Sequence, residues 1–221
     1  MGSDFTDKVL VERYKDPRLG EMVLTRRGEH YEIIFNGVFL MATYGGESER
    51  EMVRLALREI SRRGRKKGIQ LLIGGLGMGF SLQEALKSRA VERVVVVEVA
   101  PPVIKWNRCY FGGFNDNALS DGRTELVLDD LYLYLKRATP ENYDGIILDI
   151  DNGPDWLVLA SNQRLYTGAG LSRVRDLLRP GGCFVLWSLT KNVAFREELS
   201  RLFSTFRVER VDDAYLYLAC K

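Results

Sequence analysis

A glycine-rich loop is the first feature of the sequence that suggests ligand binding. Residues 74–79 read GGLGMG, and they follow a short apolar segment and precede a helical pattern. Glycine lets the backbone approach a ligand closely at the edge of a sheet. The spacing is G-x-G-x-G, which differs from the G-x-G-x-x-G of dinucleotide-binding loops and from the P-loop. It favours a ligand of the S-adenosylmethionine type bound at Gly75, Gly77 and Gly79, and a tight turn that binds nothing is the alternative.

Acidic residues stand at the ends of the next two apolar runs. Glu98 ends a run of four valines, 23 residues after Gly75, and an acid at about this offset accepts hydrogen bonds from ribose hydroxyls in nucleotide-binding α/β folds. Asp129 and Asp130 end the following strand, where a carboxylate can accept a hydrogen bond from an adenine amino group. We assign that role to Asp130, although either aspartate can also cap the helix predicted from Leu131.

A third acidic cluster follows a fourth apolar strand and supplies the candidate catalytic residue. Asp149 ends that strand, and Asp151 and Asp155 follow within six residues. A carboxylate directly after a buried strand, at the ligand-binding edge of a sheet, is a strong site candidate. The cluster would attract a cationic substrate, with Asp149 acting as a base or as an anchor for an ammonium group. The alternative is a set of turn-forming aspartates.

Strands and helices alternate around these residues. This alternation predicts a doubly wound, mostly parallel sheet of seven strands that ends in an antiparallel hairpin, the plan of a Rossmann-like methyltransferase fold. Serines followed three residues later by glutamate predict capping boxes at Ser48 and Ser81. The predicted strands are 69–73, 93–98, 125–128, 145–150, 183–187, 206–211 and 214–219, and the predicted helices lie within 48–64, 80–88, 131–137 and 163–178, from Pro101 and after Asn192.

The N-terminal part of the chain carries a different pattern. Residues 1–20 show no strong periodicity, whereas residues 21–41 are typical of strands and contain Asn36-Gly37, a strong hairpin signal. We therefore predict a short β-meander over residues 1–46 and a nucleoside-binding transferase domain over residues 47–221.

Composition excludes several other classes of protein. The 221 residues include 32 basic and 30 acidic side chains, and this net charge of +2 gives no nucleic-acid signal. The basic run at 62–67 is interpreted as a solvated loop. His30 is the only histidine, which argues against zinc hydrolases and histidine-based catalysis, and no metal is expected. No apolar run approaches the roughly 18 residues of a membrane span.

The cysteines indicate a reducing compartment. Cys109, Cys183 and Cys220 are odd in number and far apart. We expect neither a disulfide framework nor a metal-binding motif from this spacing. The expected location is therefore cytoplasmic.

These residues together resemble the spermidine synthase (polyamine aminopropyltransferase) family, over nearly the whole chain from about Tyr31. The glycine loop is similar to that family's G-G-G-D-G-G loop. The resemblance implies ribose binding by Glu98, an adenine contact by Asp130, and positioning and deprotonation of an amine by Asp149. Further matches are Asn36-Gly37, Glu51-Met52 and Leu165-Tyr166.

The sequence departs from the family pattern mainly where the amine would bind. Gly77 stands where the family has an aspartate that helps to hold the aminopropyl ammonium, and Leu40 replaces a strand glutamine. Glu49 and Arg50 replace a Tyr-His pair, and Asn152 replaces an aspartate. The nucleoside part of the family site is thus retained, while much of the diamine part is changed.

The resemblance implies transfer of an aminopropyl group from decarboxylated S-adenosylmethionine to a small amine at a divergent acceptor site. The alternatives are a methyltransferase that uses S-adenosylmethionine and a non-catalytic nucleoside-binding protein. Putrescine is expected to be a poor acceptor, because Leu40 offers no anion to its far end and Arg50 would repel a cation, although Glu49 could compensate if its side chain turns inward. We expect no nucleic-acid or membrane partner, and we consider a homodimer. The candidate substrate-binding residues are Glu49, Asp151, Asp155 and Tyr166.

Overall fold

The N-terminal region forms an antiparallel meander of four strands in a computed structural model that describes residues 7–221. The strands are β1 (Val9–Asp16), β2 (Gly20–Arg27), β3 (His30–Phe35) and β4 (Val38–Ala42), hydrogen-bonded in chain order. Positive φ angles at Asn36 (48°) and Gly37 (80°) form the predicted tight turn between β3 and β4. Strand β1 was not predicted, because half of its residues are exposed and its sequence lacks a clear apolar alternation.

The main sheet has seven strands in the order β10-β11-β9-β8-β5-β6-β7, as the alternation predicted. Strands β5 to β9 pair in parallel, and β11 pairs antiparallel with both β9 and β10. The bounds are β5 (Ile69–Gly74), β6 (Val91–Glu98), β7 (Thr124–Leu128), β8 (Tyr143–Leu148), β9 (Leu178–Ser188), β10 (Thr205–Val211) and β11 (Ala214–Cys220).

The valine run of β6 shows why this sheet lies at the centre of the molecule. Val94 and Val96 pack into one hydrophobic core, and Val95 and Val97 pack into a second core on the opposite face. All four are almost completely buried, and each such side chain contributes about 1.5–3 kcal/mol of hydrophobic stabilisation. Both faces of β6 are therefore covered, as its unbroken apolar run predicted.

Seven α-helices cover the main sheet and lead into it. They are α1 (Glu47–Arg62), α2 (Phe80–Lys87), α3 (Pro101–Trp106), α4 (Gly112–Asn115), α5 (Leu131–Arg137), α6 (Gly168–Leu177) and α7 (Val193–Leu202) within residues 7–221. A π-helical stretch (Asn107–Phe111) joins α3 to α4, and 3₁₀ turns span Ala118–Ser120 and Ala160–Tyr166.

The start of α6 and the N-caps of α1 and α2 differ from the prediction. Helix α6 begins five residues later than predicted, because the Thr167 side chain caps it by accepting a hydrogen bond from the Gly170 amide. Neither predicted capping box forms: Gly46 and Gly79 occupy the N-cap positions of α1 and α2 in left-handed conformations. Ser48 and Ser81 are the second residues of these helices.

The four-stranded meander packs directly against the main sheet. Leu24 and Ile33 are fully buried in the same core as Val94 and Val96. On its outer strand, the Glu12 carboxylate accepts a hydrogen bond from the indole nitrogen of Trp106 at 3.0 Å. The meander is thereby fixed over the carboxyl ends of the parallel strands.

One prediction about the cysteines is wrong. Cys183 on β9 and Cys220 on β11 are register partners on neighbouring strands and form a disulfide. Their separation of 37 residues gave no sign of this, because only the antiparallel pairing of the last strand brings them opposite each other. Cys109 is a free, exposed thiol. In the part of the chain that the structure describes, no helix is long and apolar enough to cross a membrane.

Candidate functional site

A single pocket brings together most of the residues predicted from the sequence. It lies at the carboxyl ends of β5, β6, β7 and β8, beneath the N-terminal meander. Among residues 7–221, no lysine, arginine or histidine lines it. Its acidic lining residues are Glu49, Glu98, Asp129, Asp130, Asp149 and Asp151, and its apolar lining residues include Leu19, Met22, Ile33, Phe35, Leu40 and Met41.

The glycine loop forms the floor of the pocket and requires glycine for steric reasons. Gly75 has φ 87°, and a Cβ atom there would collide with the carbonyl oxygen of Asp149. Gly77 has φ 51°, and a Cβ atom there would lie 2.8 Å from the Met41 sulfur. Gly79 does not line the pocket but forms the left-handed turn into α2. Of the three predicted glycines, two therefore face the pocket and the third shapes the loop.

Glu98 fastens the glycine loop to the end of β6. One carboxylate oxygen accepts a hydrogen bond from the Leu76 amide, and the other accepts one from the Ala100 amide, both at 2.8 Å. Burial raises the pKa of Glu98, and the backbone donors act in the opposite direction. Each carboxylate oxygen can accept a second hydrogen bond, so Glu98 can still receive a ligand hydroxyl.

Asp129 and Asp130 have separate structural partners. Asp130 caps α5: one of its side-chain oxygens accepts a hydrogen bond from the Leu133 amide at 3.1 Å, which confirms the capping alternative for this residue. Its other oxygen accepts no hydrogen bond from the described residues. Asp129 forms an ion pair with Arg137 and accepts a hydrogen bond from the Asp130 amide at 2.8 Å. Asp130 therefore retains one oxygen for a ligand.

Asp149 is the least satisfied carboxylate in the pocket. Its backbone amide donates to the Gly74 carbonyl at 3.0 Å, which places the side chain directly after β8. The half-buried side chain accepts no hydrogen bond from any described residue. Burial, with the charges of Glu49 and Asp151 close by, raises the pKa of Asp149 to about 8. A cation that enters the pocket would reverse this shift.

Asp151 is nearly buried, and its hydrogen-bonding capacity is fully used. The Asn162 side-chain amide donates to both of its carboxylate oxygens, at 3.0 and 3.1 Å. The Val158 amide and the Tyr166 hydroxyl supply two further hydrogen bonds, the latter at 2.7 Å. Four hydrogen bonds from three donor groups fill the roughly four acceptor sites of a carboxylate. Asp151 therefore organises residues 151–166, and Tyr166, which does not line the pocket, contributes through it.

Asp155 is not brought to the pocket. Its exposed carboxylate accepts hydrogen bonds from the Thr190 hydroxyl at 3.0 Å and the Asn192 side-chain amide at 2.6 Å. Asp155 therefore links its own segment to the residues after β9, a contact that neither interpretation of the sequence predicted.

Glu49 and Arg50, which are adjacent in sequence, are directed to different places. Glu49 lines the pocket and accepts a hydrogen bond from the Ser48 hydroxyl at 2.6 Å. The Arg50 guanidinium instead donates to Gln83 at 3.3 Å and lies 4.2 Å from the centre of the Phe80 ring. Arg50 does not line the pocket. Repulsion by this arginine is therefore no reason to exclude a dication, contrary to the expectation from the sequence.

Two residues that the sequence analysis did not identify hold Glu49 in place. The Trp187 indole nitrogen donates to the Ser48 hydroxyl at 3.1 Å, and that hydroxyl donates in turn to Glu49. Trp187 also lines the pocket. Its position near the end of β9, beside β8, is the only sequence signal that could have indicated it. Among the described residues, no group of three or more acidic, histidine or cysteine side chains is arranged to hold a metal ion.

The fold defines a class of protein, those with a Rossmann-like methyltransferase sheet, and the acidic pocket lies at the carboxyl ends of its parallel strands. The spermidine synthase of Thermotoga maritima superposes with a TM-score of 0.76 and 19% identity, over 96% of this chain and 73% of that one. Human methyltransferase-like protein 13, solved in complex with SAH, superposes with a TM-score of 0.62 and 21% identity, over 78% of this chain and 81% of that one. At these identities the likeness concerns the fold.

Sequence similarity gives the family. A family model described as the spermine/spermidine synthase domain matches residues 52–219, and the chain belongs to this family. The polyamine aminopropyltransferase of Saccharolobus solfataricus is 30% identical over 151 residues, which cover 67% of this chain and 48% of that protein. The chain spans about a third to a half of the length of the curated relatives that it matches.

Proposed function

We propose that the chain transfers an aminopropyl group from decarboxylated S-adenosylmethionine to a small amine. The observation that carries this proposal is the charge of the pocket: six carboxylates line it and, among the described residues, no basic side chain does. The donor carries a sulfonium and an ammonium charge, and the amine enters as an ammonium ion. All three charges are stabilised by this lining.

The nucleoside half of the pocket consists of Gly75, Glu98 and Asp130. Glu98 retains lone pairs toward the pocket for the ribose hydroxyls, and Asp130 retains one oxygen for the adenine amino group. Gly75 brings the loop backbone next to Asp149, which places the sulfur end of the donor near the acceptor half, Glu49 and Asp149. Asp129, bound to Arg137, lines the same wall as Asp130.

The reaction needs alignment and a neutral nucleophile. Asp149 accepts a proton from the bound ammonium, and the freed lone pair of the nitrogen attacks the propyl carbon attached to sulfur. The N–C bond forms, the C–S bond breaks, and the electron pair of that bond neutralises the sulfonium as methylthioadenosine leaves. Binding of the cationic donor lowers the raised pKa of Asp149, so that its carboxylate is ionised and can accept this proton.

Methyl transfer from S-adenosylmethionine is the second candidate, because Gly77 leaves the loop without a carboxylate. The charge of the pocket argues against it. S-adenosylmethionine carries a carboxylate that its decarboxylated form lacks, and this group would enter a pocket that acids line and to which residues 7–221 contribute no basic side chain. A protein that binds the nucleoside without turnover is the third candidate, which only an assay can separate from the first.

The test is the identity of the products. The protein is incubated with an amine panel and either decarboxylated S-adenosylmethionine or S-adenosylmethionine, and the mixture is analysed by mass spectrometry. We expect methylthioadenosine and an amine heavier by one aminopropyl group from the first donor only. Release of S-adenosylhomocysteine would favour methyl transfer, and binding of donor without any product would favour the non-catalytic protein.

The other expectations from the sequence stay predictions. They are the domain boundary near residue 46, the homodimer, the absence of nucleic-acid partners and the cytoplasmic location. The roles of Glu49, Asp151 and Tyr166 in amine binding are part of the present proposal, with Asp151 and Tyr166 acting by organising residues 151–166.

A further inference from the structure

We infer that the amine acceptor carries a single positive charge on an apolar body, so that the pocket selects a monoamine over a diamine. This inference rests on the proposed function and names its acceptor class. It follows from the number of carboxylates that remain free in the pocket and from the residues that surround them.

Four of the six lining carboxylates are already engaged. Asp151 accepts four hydrogen bonds from protein donors, and Asp129 is paired with Arg137. Glu98 and Asp130 hold backbone amides of the glycine loop and of α5, and their remaining lone pairs face the nucleoside half. None of these four has an acceptor site left for the hydrogen bonds of an ammonium ion in the acceptor half.

The two carboxylates that remain are Glu49 and Asp149. Glu49 accepts one hydrogen bond, from the Ser48 hydroxyl, and Asp149 accepts none from the described residues. A decarboxylated donor brings one ammonium group, which requires one of the two. The reacting amine requires the other. Both ammonium groups then have a carboxylate to accept their hydrogen bonds, and among residues 7–221 a second ammonium on the acceptor has no free carboxylate left in the pocket.

The other residues that line this part of the pocket are uncharged. Ile150, Val158 and Leu159 are apolar, and Leu40 faces the pocket from β4. Asn152 contributes a neutral amide. An ammonium ion buried among such groups finds no free carboxylate to accept its hydrogen bonds, which is unfavourable, whereas an alkyl end gains from the same contacts. The surroundings therefore favour an apolar tail at the position where a diamine would place its second charge.

A matched pair of amines tests the inference. Putrescine and n-pentylamine differ only in the far end of the chain, where an ammonium group is replaced by a methyl group of similar size. Calorimetry is performed on the protein saturated with decarboxylated S-adenosylhomocysteine, a thioether that keeps the aminopropyl ammonium and cannot transfer it. We expect n-pentylamine to bind at least about tenfold more tightly than putrescine. Equal or tighter binding of putrescine, or no binding of either amine, would overturn the inference.

A second nucleoside tests whether the donor ammonium occupies one of the two free carboxylates. Methylthioadenosine lacks the aminopropyl ammonium, so it leaves both Glu49 and Asp149 free. With this ligand bound, the ratio of the dissociation constants of putrescine and n-pentylamine should be smaller, because putrescine then has two carboxylates for its two ammonium groups. A preference that is unchanged between the two nucleosides would show that the donor ammonium does not use this pair.

The two proposals fail in different ways. These binding measurements need no turnover, so the monoamine preference can be established or refuted in a protein that transfers nothing. Failure of the proposed function would instead appear as the absence of an aminopropylated product when decarboxylated S-adenosylmethionine is supplied with either amine.

Discussion

The two halves of the pocket are built differently, although the same sheet edge supports both. In the nucleoside half, Glu98 and Asp130 are held by backbone amides and lie at the ends of regular strands. In the acceptor half, Asp149 accepts no hydrogen bond from the described residues, and Glu49 is held through the side chains of Ser48 and Trp187. A hydrogen bond from a backbone amide is kept when the donor's side chain is substituted. A chain of side-chain hydrogen bonds, such as Trp187 to Ser48 to Glu49, is lost when any one of its residues changes. The acceptor half is therefore the part in which specificity can change while nucleoside binding is kept.

The largest expected effect comes from removing the charge of Asp149. Asp149→Asn should lower the rate of transfer by about 100-fold or more, as expected for loss of a general base. The affinity for methylthioadenosine should stay within about threefold, because Asp149 lies outside the nucleoside half. Asp155→Asn, a change outside the pocket, is the control and should leave the rate unchanged. Normal turnover by Asp149→Asn would show that Asp149 is only a turn residue.

The glycine loop should be the next most sensitive element. Gly75→Ala places a Cβ atom against the Asp149 carbonyl oxygen at a positive φ, so we expect a loss of about 1–3 kcal/mol in the free energy of unfolding. Gly113→Ala is a suitable control, since a Cβ atom at Gly113 meets no atom within 4 Å. Urea unfolding of both variants measures the difference. Equal stabilities would mean that the loop relaxes without strain.

One substitution in each half of the pocket should affect the binding of only one of the two ligands. Glu98→Gln should weaken methylthioadenosine binding by about 1–3 kcal/mol, the range for a lost charged hydrogen bond. Glu49→Gln should leave that binding unchanged and weaken amine binding by about tenfold. Glu47→Gln, an exposed acid on the same helix turn, is the control for Glu49. Calorimetry measures the affinity of each of the two variants for methylthioadenosine and for the amine. Loss of methylthioadenosine binding in Glu49→Gln would refute the division of the pocket into a nucleoside half and an acceptor half.

The smallest expected effect is a shift in the pH dependence of kcat/KM, which reports on the ionisation of Asp149 in the acceptor half. Because the pKa of Asp149 is raised to about 8 and the base must be unprotonated, kcat/KM should increase as the pH rises toward 8. Glu49→Gln removes one of the charges that raise this pKa, so the midpoint should shift to lower pH. A profile that keeps its midpoint in Glu49→Gln would assign the titration to another group.

Position at strand ends made much of the site predictable from the sequence. Glu98, Asp130 and Asp149 each follow a predicted parallel strand, and the carboxyl ends of parallel strands meet at one edge. The seven-stranded sheet was also predictable, because each strand and helix shows a clear apolar pattern within its own residues and the two kinds of element alternate.

The parts that could not be predicted depend on contacts between distant segments. Trp187 reaches Ser48 across the fold, and Asn162 reaches Asp151 from a 3₁₀ turn that has no periodic signal. The Cys183–Cys220 disulfide arises only from the antiparallel pairing of the last strand. The sequence placed Arg50 beside the amine, and the structure places it elsewhere. Its contact with Gln83 depends on how α1 packs against α2, which no local pattern shows.

A crystal structure with methylthioadenosine would test the central claim, the division of the pocket, most directly. We predict ribose hydroxyls within hydrogen-bond distance of the Glu98 carboxylate and the adenine amino group at the free oxygen of Asp130. The methylthio group should point toward Glu49 and Asp149, with no nucleoside oxygen or nitrogen bonded to either. A nucleoside whose ribose or adenine binds Asp149 or Glu49 would contradict the account.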